Sequence, residues 1–447
     1  MKKDVIPPKL PLRFFRWYCH PKLLKHIEGD LMELYNERVN QVGKRKADAK
    51  FIVDVLLLFR PGIIRSFGVK HLNNHNMFRN YIRVGWRNLV RSKGYSAINI
   101  AGLAAGMGVT MLIGMWLYDE ITFNRCHTNY ERIAQVYQHR TFTGEINTTS
   151  ETPIPLGTEL RTTYTNDFKR VVRAWWNGNH ILSIDETRSI KVGNFMDPEA
   201  LAMFSFTMLK GDHRSLAEPA SIILSEPAAI AFFGDDDPIN KILRIDNVVD
   251  AKVTGVFKPF PSNSRFHELQ FVSTWDLWVS ANEWLKMEEN NWNSGINVFV
   301  ELHPNTFFDA LSARVSNLKS DRISREQAEQ ENPLLFLQPM SRWHLYTQWK
   351  DGRESGGRIQ YVWLFGIIGV FVLLLACINF MNLSTAQSER RSREVGIRKS
   401  IGSVRGQLVN QFLTESFLVV LFSFVLALSL VIAVIPWFNE LADKNMD

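Results

Sequence analysis

Three long apolar segments stand out from an otherwise mixed pattern of hydrophobic and polar residues. They cover residues 96–117, 361–380 and 417–438. A helix needs about 20 mainly apolar residues to cross a membrane, and an open strand cannot satisfy its backbone there. The pattern therefore predicts three transmembrane helices, at residues 95–118, 359–384 and 413–438. Small residues in the first span, with GxxxG spacing between the first two, are expected to pack against a neighbouring helix: Gly102, Gly106 and Gly114.

The first 70 residues show apolar positions at helical spacing among many charges. An apolar stripe recurs every three or four residues, at Leu24, Ile27, Leu31 and Leu34. The glutamates of this segment fall on other faces: Glu28, Glu33 and Glu37. Another apolar stretch, residues 51–59, is too short to cross a membrane and stops at Pro61 and Gly62. We predict a small helical domain over residues 1–70, with this second stretch as a buried helix.

A basic amphipathic segment precedes the first span. Arginines recur every fourth residue, at Arg79, Arg83, Arg87 and Arg91. Apolar residues occupy a different face of the same helix: Phe78, Ile82, Trp86, Leu89 and Val90. Such a helix fits the membrane interface, with its apolar face at the head-group level and its arginines on lipid phosphates. Residues 71–94 are therefore predicted to be an interfacial helix and linker; the alternative is an ordinary basic tail beside the membrane.

Residues 119–358, between the first two spans, change to short alternating segments. Strands are predicted within residues 221–226, 242–247, 251–257 and 296–302. Helices are predicted at residues 197–206 and 225–233, and turns rich in Gly, Pro, Asp and Asn separate these elements. This pattern is typical of a large mixed α/β domain.

The distribution of charge predicts the orientation in the membrane. The chain has 52 basic and 45 acidic residues, and the basic excess lies before the first span and between the last two. Basic flanks face the cytoplasm, so residues 119–358 are expected on the outer side and residues 1–70 inside. The fold class is thus an α-helical membrane protein with three spans, a large α/β extracytoplasmic domain and a small N-terminal helical cytoplasmic domain. The last nine residues, 439–447, form no domain, and we expect a fragment or truncated product of a longer protein.

Few other functions fit the polar residues. The cations form no continuous basic face, which argues against nucleic-acid binding. The cysteines are scattered, and no Cys/His cluster has metal-ligand spacing. The acidic triplet at residues 235–237 is interpreted as a solvated turn, and no nucleophile or acid–base pair is recognisable. The sequence has no GxxxxGK[ST] motif. We therefore expect no catalytic residue, metal or cofactor, with any ATP bound by a separate subunit.

A motif with defined spacing lies in the basic link between the last two spans, residues 385–412. It comprises Arg393, Glu394, Gly396, Arg398, Lys399 and Gly402, followed by Gln407, Gln411 and Glu415. Residues 390–419 thereby resemble the cytoplasmic loop and next span of the FtsX-like permeases of MacB-type (type VII) ABC transporters. Residues 194–212 and 218–264 resemble the MacB-like periplasmic core domain, except that Asn240 stands where the family usually has Gly. Residues 10–65 resemble the permease prefix domain.

The resemblance implies a permease subunit in a bacterial inner membrane that relays the motion of a cytoplasmic ABC ATPase to its periplasmic domain. The motif residues 393–402 would couple to the ATPase; the alternative, that they only obey the positive-inside rule, does not call for the two glycines. Further implied partners are membrane lipids, a second permease half or copy, and a periplasmic adaptor. The implied cargo is peptides, drugs or lipoproteins. Members of the family normally have a fourth span, which agrees with the expectation that this chain is a fragment. The alternative function is a signalling or scaffold protein whose outer domain controls a partner; a membrane enzyme ranks third.

Overall fold

The computed structural model describes residues 7–58, 74–293, 295–390, 392–402, 405–442 and 444–446. The chain divides into two compact units, Met1–Asn88 and Leu89–Asp447. In the described residues the helices are α1 (Lys9–Tyr18), α2 (Pro21–Val42), α3 (Lys44–Leu57), α4 (Asn74–Arg91), α5 (Lys93–Ile121), α6 (Ile154–Thr163), α7 (Ala200–Met203), α8 (Glu226–Phe233), α9 (Trp275–Ala281), α10 (Glu283–Met287), α11 (Phe308–Val315), α12 (Arg325–Glu331), α13 (Arg358–Arg390), α14 (Ser392–Ser400) and α15 (Arg405–Ala442). The strands are β1 (Ile133–Phe142), β2 (Glu145–Thr149), β3 (Phe168–Ala174), β4 (Gly178–Ile184), β5 (Thr187–Met196), β6 (Met208–Lys210), β7 (Ser221–Ser225), β8 (Ile242–Ile245), β9 (Val249–Phe257), β10 (Phe271–Thr274), β11 (Asn297–Leu302), β12 (Leu334–Pro339), β13 (Gln348–Lys350) and β14 (Arg353–Gly356).

Helices α1 to α3 build the core of the first unit. The Tyr35 and Phe51 rings meet edge to face at 5.4 Å, and the Tyr18 hydroxyl donates to the Val55 carbonyl at 2.6 Å. Leu34, predicted to face this core, is instead 40% exposed, and Tyr35 is buried. Both positions continue a stripe from Leu31, at three and four residues, and packing selects the second.

Helix α3 is only half-buried, which corrects the prediction of a buried helix. Phe51 and Val55 lie in the core, whereas four apolar neighbours are exposed: Ile52, Val53, Leu56 and Leu57. A run of apolar residues places side chains all round a helix, and only one face of α3 can meet α1 and α2.

Helices α5, α13 and α15 are each long and apolar enough to cross a membrane. They extend beyond the predicted spans because helical backbone hydrogen bonds continue where the side chains become polar. The link predicted at residues 385–412 therefore consists of the end of α13, the short helix α14 and the start of α15.

Two glycines of α5 form the contact with α13. A Cβ atom at Gly106 would lie 2.4 Å from the Ala376 Cβ, and one at Gly102 would lie 3.2 Å from Asn379 Nδ2. The predicted packing role of these two glycines is confirmed. The prediction fails for Gly114, because no atom of the described residues lies within 4 Å of the position that a Cβ would take there.

The α/β domain has two lobes on one extended sheet. In the first lobe six strands close into a ring in the order β4-β5-β10-β7-β9-β8. The ring is tight where the Phe271 ring covers Gly193, since a Cβ there would lie 2.0 Å from the ring. In the second lobe, strands β3, β11, β1 and β12 are covered by α6 and α11. The predicted strands and helices of this domain all form, as β7, β8, β9, β11, α7 and α8.

The turn at Asn240 explains the departure from the family pattern. Its φ of 67° lies in the left-handed region, where glycine is favoured and asparagine is the best tolerated alternative. The Asn240 amide donates to the Val253 carbonyl at 2.8 Å, which holds the turn against β9. The local conformation is therefore kept without glycine.

Candidate functional site

Five charged or titratable side chains meet where the apolar helices reach the α/β domain. We call this group the charged junction: Asp119, Glu120, His344, Arg358 and Lys444. The two acids end α5, Arg358 begins α13, Lys444 follows α15, and His344 belongs to the domain. Helices α5 and α13, the segment after α15 and the α/β domain thus each contribute at least one side chain to one cluster.

Glu120 is the centre of the junction. Its side chain is fully buried, with Oε2 2.7 Å from His344 Nε2 and Oε1 2.9 Å from Lys444 Nζ. Arg358 donates to the same Oε1 at 3.1 Å. A buried carboxylate is unfavourable unless cations and hydrogen-bond donors surround it, and here three donors do. The burial of the Glu120 carboxylate is therefore compensated by side chains from three different parts of the chain.

Lys444 also binds the neighbouring acid of α5. Its Nζ lies 2.5 Å from Asp119 Oδ2, and the lysine side chain is 7% exposed. Because one ammonium group bridges Asp119 and Glu120, the segment after α15 is held to the end of α5 by two contacts.

Close contacts surround the junction where the helices meet the domain. The His344 ring stacks on Phe123, two residues beyond α5, with centroids 3.7 Å apart. The backbone amide of Asn124 donates to the Asn263 carbonyl at 2.7 Å, which ties the segment after α5 to a loop of the domain. Before α13, Gly357 has a φ of 136°, and a Cβ there would lie 2.7 Å from the Leu345 carbonyl oxygen. Only glycine allows this close approach.

An open cleft of about 760 Å³ lies beside the junction. It is lined by loops of the domain and by the ends of α13 and α15, including Arg265, Glu268, Arg358, Glu440 and Lys444. A second, mainly apolar groove of about 590 Å³ runs between α5 and α15.

Arg265 is a half-buried cation of the cleft. Its guanidinium donates to Gln135 Oε1 at 2.6 Å and lies over the Trp343 ring at 5.2 Å and the Phe299 ring at 5.7 Å. Burial lowers the pKa of Arg265, and the neighbouring Tyr137 hydroxyl opposes this. The described hydrogen-bond partner of this guanidinium, Gln135, is neutral, and Arg265 is one of the residues that line the cleft.

The predicted coupling residues lie far from the junction. Arg393, Glu394, Gly396, Arg398 and Lys399 share helix α14, and nothing further is described of the four charged side chains. Gly396 is exposed with open space around it, and Gly402 follows α14 with a φ of 98°. The structure thus gathers the motif in one short helix and a left-handed turn.

The predicted interfacial helix corresponds to α4. Its four arginines, Arg79, Arg83, Arg87 and Arg91, are exposed, and so are Ile82, Trp86 and Val90. Of the acidic triplet, Asp237 pairs with Lys210 at 2.8 Å in an exposed turn. Residue 71 and the side chain of His75 lie outside the described set. Among the described residues no group of three metal-ligating side chains comes together.

Most of the charged junction was not predicted from the sequence. No contact was predicted for the last nine residues, whereas in the structure Lys444 binds Asp119 and Glu120. The one available signal was an acidic pair at the end of an apolar segment, where unpaired carboxylates are costly. Its partners are 224 to 325 positions away in sequence, and no local pattern connects them.

Comparison with known proteins identifies two family regions. The model for the MacB-like periplasmic core domain matches residues 96–318, and that for the FtsX-like permease C-terminal matches residues 366–446. The curated "Macrolide export ATP-binding/permease protein MacB" of Marinobacter nauticus is 25% identical over 53% of this chain and 34% of its own length. The "Uncharacterized ABC transporter permease YknZ" of Bacillus subtilis is 45% identical over 12% of this chain and 13% of its own.

Solved structures also match part of the chain. A permease domain from Porphyromonas gingivalis has a TM-score of 0.41 and 18% identity, covering 48% of this chain and 91% of that domain. The periplasmic region of MacB from Actinobacillus actinomycetemcomitans has a TM-score of 0.34 and 12% identity, covering 48% of this chain and 90% of that region. The chain spans about a third or less of the length of the curated relatives above.

The family matches agree with the arrangement of the second unit. The first region covers α5 and most of the α/β domain, and the second covers α13 to α15. Long apolar helices with a periplasmic domain fit a protein of the inner membrane. The chain belongs to the MacB/FtsX-type family of ABC transporter permeases.

Proposed function

We propose that this chain is a permease subunit that relays ATP-driven motion of a separate ATPase to its periplasmic domain. The observation that carries the proposal is the charged junction, in which buried Glu120 is bound by side chains from α13, from the segment after α15 and from the domain. A relay needs a stiff connection at this point, because a flexible linker would absorb the motion of the helices.

The lengths of the helices support the same mechanism. Helix α13 has 33 residues, which corresponds to about 50 Å at 1.5 Å per residue. It begins at the junction with Arg358 and ends beside α14, the helix that contains the coupling motif. Force applied to α14 would therefore reach the domain along one continuous helix.

The coupling motif is the proposed contact for the ATPase. Helix α14 is short, and Gly402 lets the chain turn sharply from it towards α15. Two long helices are thus connected through one small element that a partner can grip. With the orientation predicted from the basic flanks, α14 and residues 1–70 face the cytoplasm.

The cargo and the other partners follow from the relatives. Several relatives bear the name of macrolide export proteins, which favours the transport of drugs. Peptides or lipoproteins are cargo of similar amphiphilic character. The outward faces of α13 are apolar and exposed, for example at Trp363 and Phe371, as expected for contact with lipids or a second permease half. A periplasmic adaptor completes the proposed complex.

Orientation is tested by cysteine labelling in intact cells. Native Cys126 is exposed in the α/β domain, so an impermeant maleimide should label it from outside. Ser392→Cys in a Cys126→Ser, Cys377→Ser background should label only after the membrane is permeabilised. Labelling of the introduced cysteine in intact cells would place α14 outside and exclude contact with a cytoplasmic ATPase.

Coupling is tested on the full chain together with the ATPase that copurifies with it. Spin labels at Glu145→Cys in the domain and Ser388→Cys near the end of α13 report their separation, with Cys126 and Cys377 replaced by serine. We expect ATP with vanadate to change this distance. In Glu120→Ala the change should be lost while ATP hydrolysis continues.

Glu131→Ala is the matched control, because Glu131 is exposed in the same domain. It should keep the nucleotide-dependent change. A distance that does not respond to nucleotide in the parent protein, or that responds equally in Glu120→Ala, contradicts the relay. Failure of any ATPase to copurify favours the scaffold alternative.

A further inference from the structure

The cleft and the apolar groove lie next to each other beside the charged junction and share one lining residue. Asn445 lines both of them. The pair of Asp119 and Lys444 lies between them, since Asp119 lines the groove and Lys444 lines the cleft. A polar compartment of about 760 Å³ therefore lies next to an apolar one of about 590 Å³.

The depth of the groove matches one leaflet of a membrane. Its deepest residue on α5 is Met111, nine positions before Glu120, and on α15 it is Leu428, twelve positions before Glu440. At 1.5 Å per residue the groove extends about 14 to 18 Å below the helix ends. Half of the hydrocarbon core is about 15 Å thick. The groove thus has the length of an acyl chain that starts at the membrane surface.

The groove is lined by flexible and small side chains. The α5 side includes Met111, Gly114 and Met115, with Tyr118 and Asp119 towards the helix end, and the α15 side includes Leu428 and Val431. Methionine side chains adapt to irregular apolar partners. Gly114 has open space where a Cβ would stand, so it leaves room rather than packing against a helix.

The cleft carries charges of both signs. Arg265 is uncompensated by its described hydrogen-bond partners, and about half of the Arg358 side chain is exposed although it donates to Glu120. Glu268 and Glu440 are exposed on the same lining. An anion alone would meet two carboxylates here, and a cation alone would meet the guanidinium groups. A ligand with a phosphate and an ammonium group satisfies both.

From this arrangement we infer that the cleft and groove together bind one phospholipid with a zwitterionic head group. The phosphate lies towards Arg265 and Arg358, the ammonium group towards Glu268 and Glu440, and one acyl chain fills the groove between α5 and α15. Such a lipid packs against the charged junction and shields its buried ion pairs from water, and it is distinct from the transported cargo.

The inference is tested with the full chain in nanodiscs. The protein is delipidated in detergent and reconstituted in phosphatidylethanolamine, phosphatidylglycerol or phosphatidylcholine, and bound lipid is counted by native mass spectrometry after release. We expect one retained lipid, with both zwitterionic lipids preferred over phosphatidylglycerol. Glu440→Gln should weaken that preference and favour phosphatidylglycerol.

The acyl-chain part is tested by filling the groove. Gly114→Leu should reduce lipid retention about tenfold or more, because its side chain takes the place of several methylene groups. Gly406→Leu is the matched control, since Gly406 also has open space around it but lies at the start of α15, away from the groove. It should leave retention unchanged.

A cross-linking measurement keeps the test decisive if a variant fails to fold. Phosphatidylethanolamine with a diazirine in its acyl chain should label the parent protein at Met111, Met115 or Leu428. Labelling spread evenly over the outer surfaces of α13 would refute a specific groove. Competition by inorganic phosphate as strong as by the lipid would show a free-phosphate site, which also overturns the inference.

Discussion

Replacing Glu120 by glutamine removes the charge at the centre of the junction while nearly keeping the size of the side chain. Glutamine keeps one carbonyl oxygen as an acceptor. Its NH2 group replaces the second carboxylate oxygen and, being a donor itself, cannot accept the hydrogen bonds that this oxygen accepted. His344, Arg358 and Lys444 each lose part of their stabilisation. The stability of this variant therefore measures how much the buried carboxylate contributes to holding the long apolar helices and the domain together.

The expected cost follows from the exposure of the three partners. Lys444 and His344 are 7% and 14% exposed, so water cannot replace their bonds to Glu120. Arg358 is 52% exposed, and its contribution is small because solvent screens it. A hydrogen bond between charged groups is worth about 1.5 to 3 kcal/mol. Since Asp119 still binds Lys444, we expect a loss of about 2 to 4 kcal/mol, below the upper range for breaking a buried pair.

Thermal unfolding in detergent measures this loss through tryptophan emission, because Trp343 lies in the adjacent core. At about 2 to 4 °C per kcal/mol, the midpoint should fall by roughly 4 to 16 °C. Glu131→Gln, an exposed carboxylate of the same domain, should change the midpoint by less than about 1 °C. Lys444→Met in the Glu120→Gln background should add less than it does alone, because the two side chains are in contact.

A Glu120→Gln protein that melts together with the parent protein would refute the reasoning. So would full additivity of the Glu120 and Lys444 substitutions. Either result would mean that the junction is a surface ion cluster and does not hold the elements together.

Two further predictions use pairs of glycines. Gly402→Ala should destabilise the protein by about 1 to 2 kcal/mol, because a φ of 98° is unfavourable for a residue with a side chain. Gly396→Ala should stabilise α14 by about 0.5 to 1 kcal/mol, because alanine favours a helix more than glycine does. The melting midpoints of the two variants should therefore shift in opposite directions, and equal shifts would contradict the prediction. Gly106→Ala should separate α5 from α13 and cost about 1 to 3 kcal/mol, whereas Gly114→Ala has open space and should be neutral or stabilising. Disulfide trapping between engineered cysteines on α5 and α13 should slow in the first variant only, and equal rates would argue against tight packing at Gly106.

The sequence was informative wherever a local pattern reflects a local cause. Hydropathy located the three long apolar helices, and alternation located strands such as β7 and β9 in the domain. GxxxG spacing located the contact of Gly106 with α13. Each of these follows from the period of one element, which the chain carries within a few residues.

Helix faces and ends were less accessible from the sequence. Leu34 and Tyr35 both fit the stripe of α2, and only packing against α3 decided for Tyr35. Gly114 fits a small-residue pattern on α5, yet the groove beside it stays open. Periodicity names the candidates for a buried face, but the neighbouring element selects among them.

The charged junction was decided by tertiary structure alone. Glu120 and Asp119 are visible in the sequence as an acidic pair beside a span, but His344, Arg358 and Lys444 reach them only after the domain and all three long helices have packed. The sequence by itself therefore determined which segments are long and apolar enough to cross a membrane, because hydrophobic transfer depends on each segment's own composition. Which charges become partners depended on the tertiary fold, because an ion pair needs two groups within a few ångströms. The sequence of the residues between two such groups does not determine the distance that separates them in space.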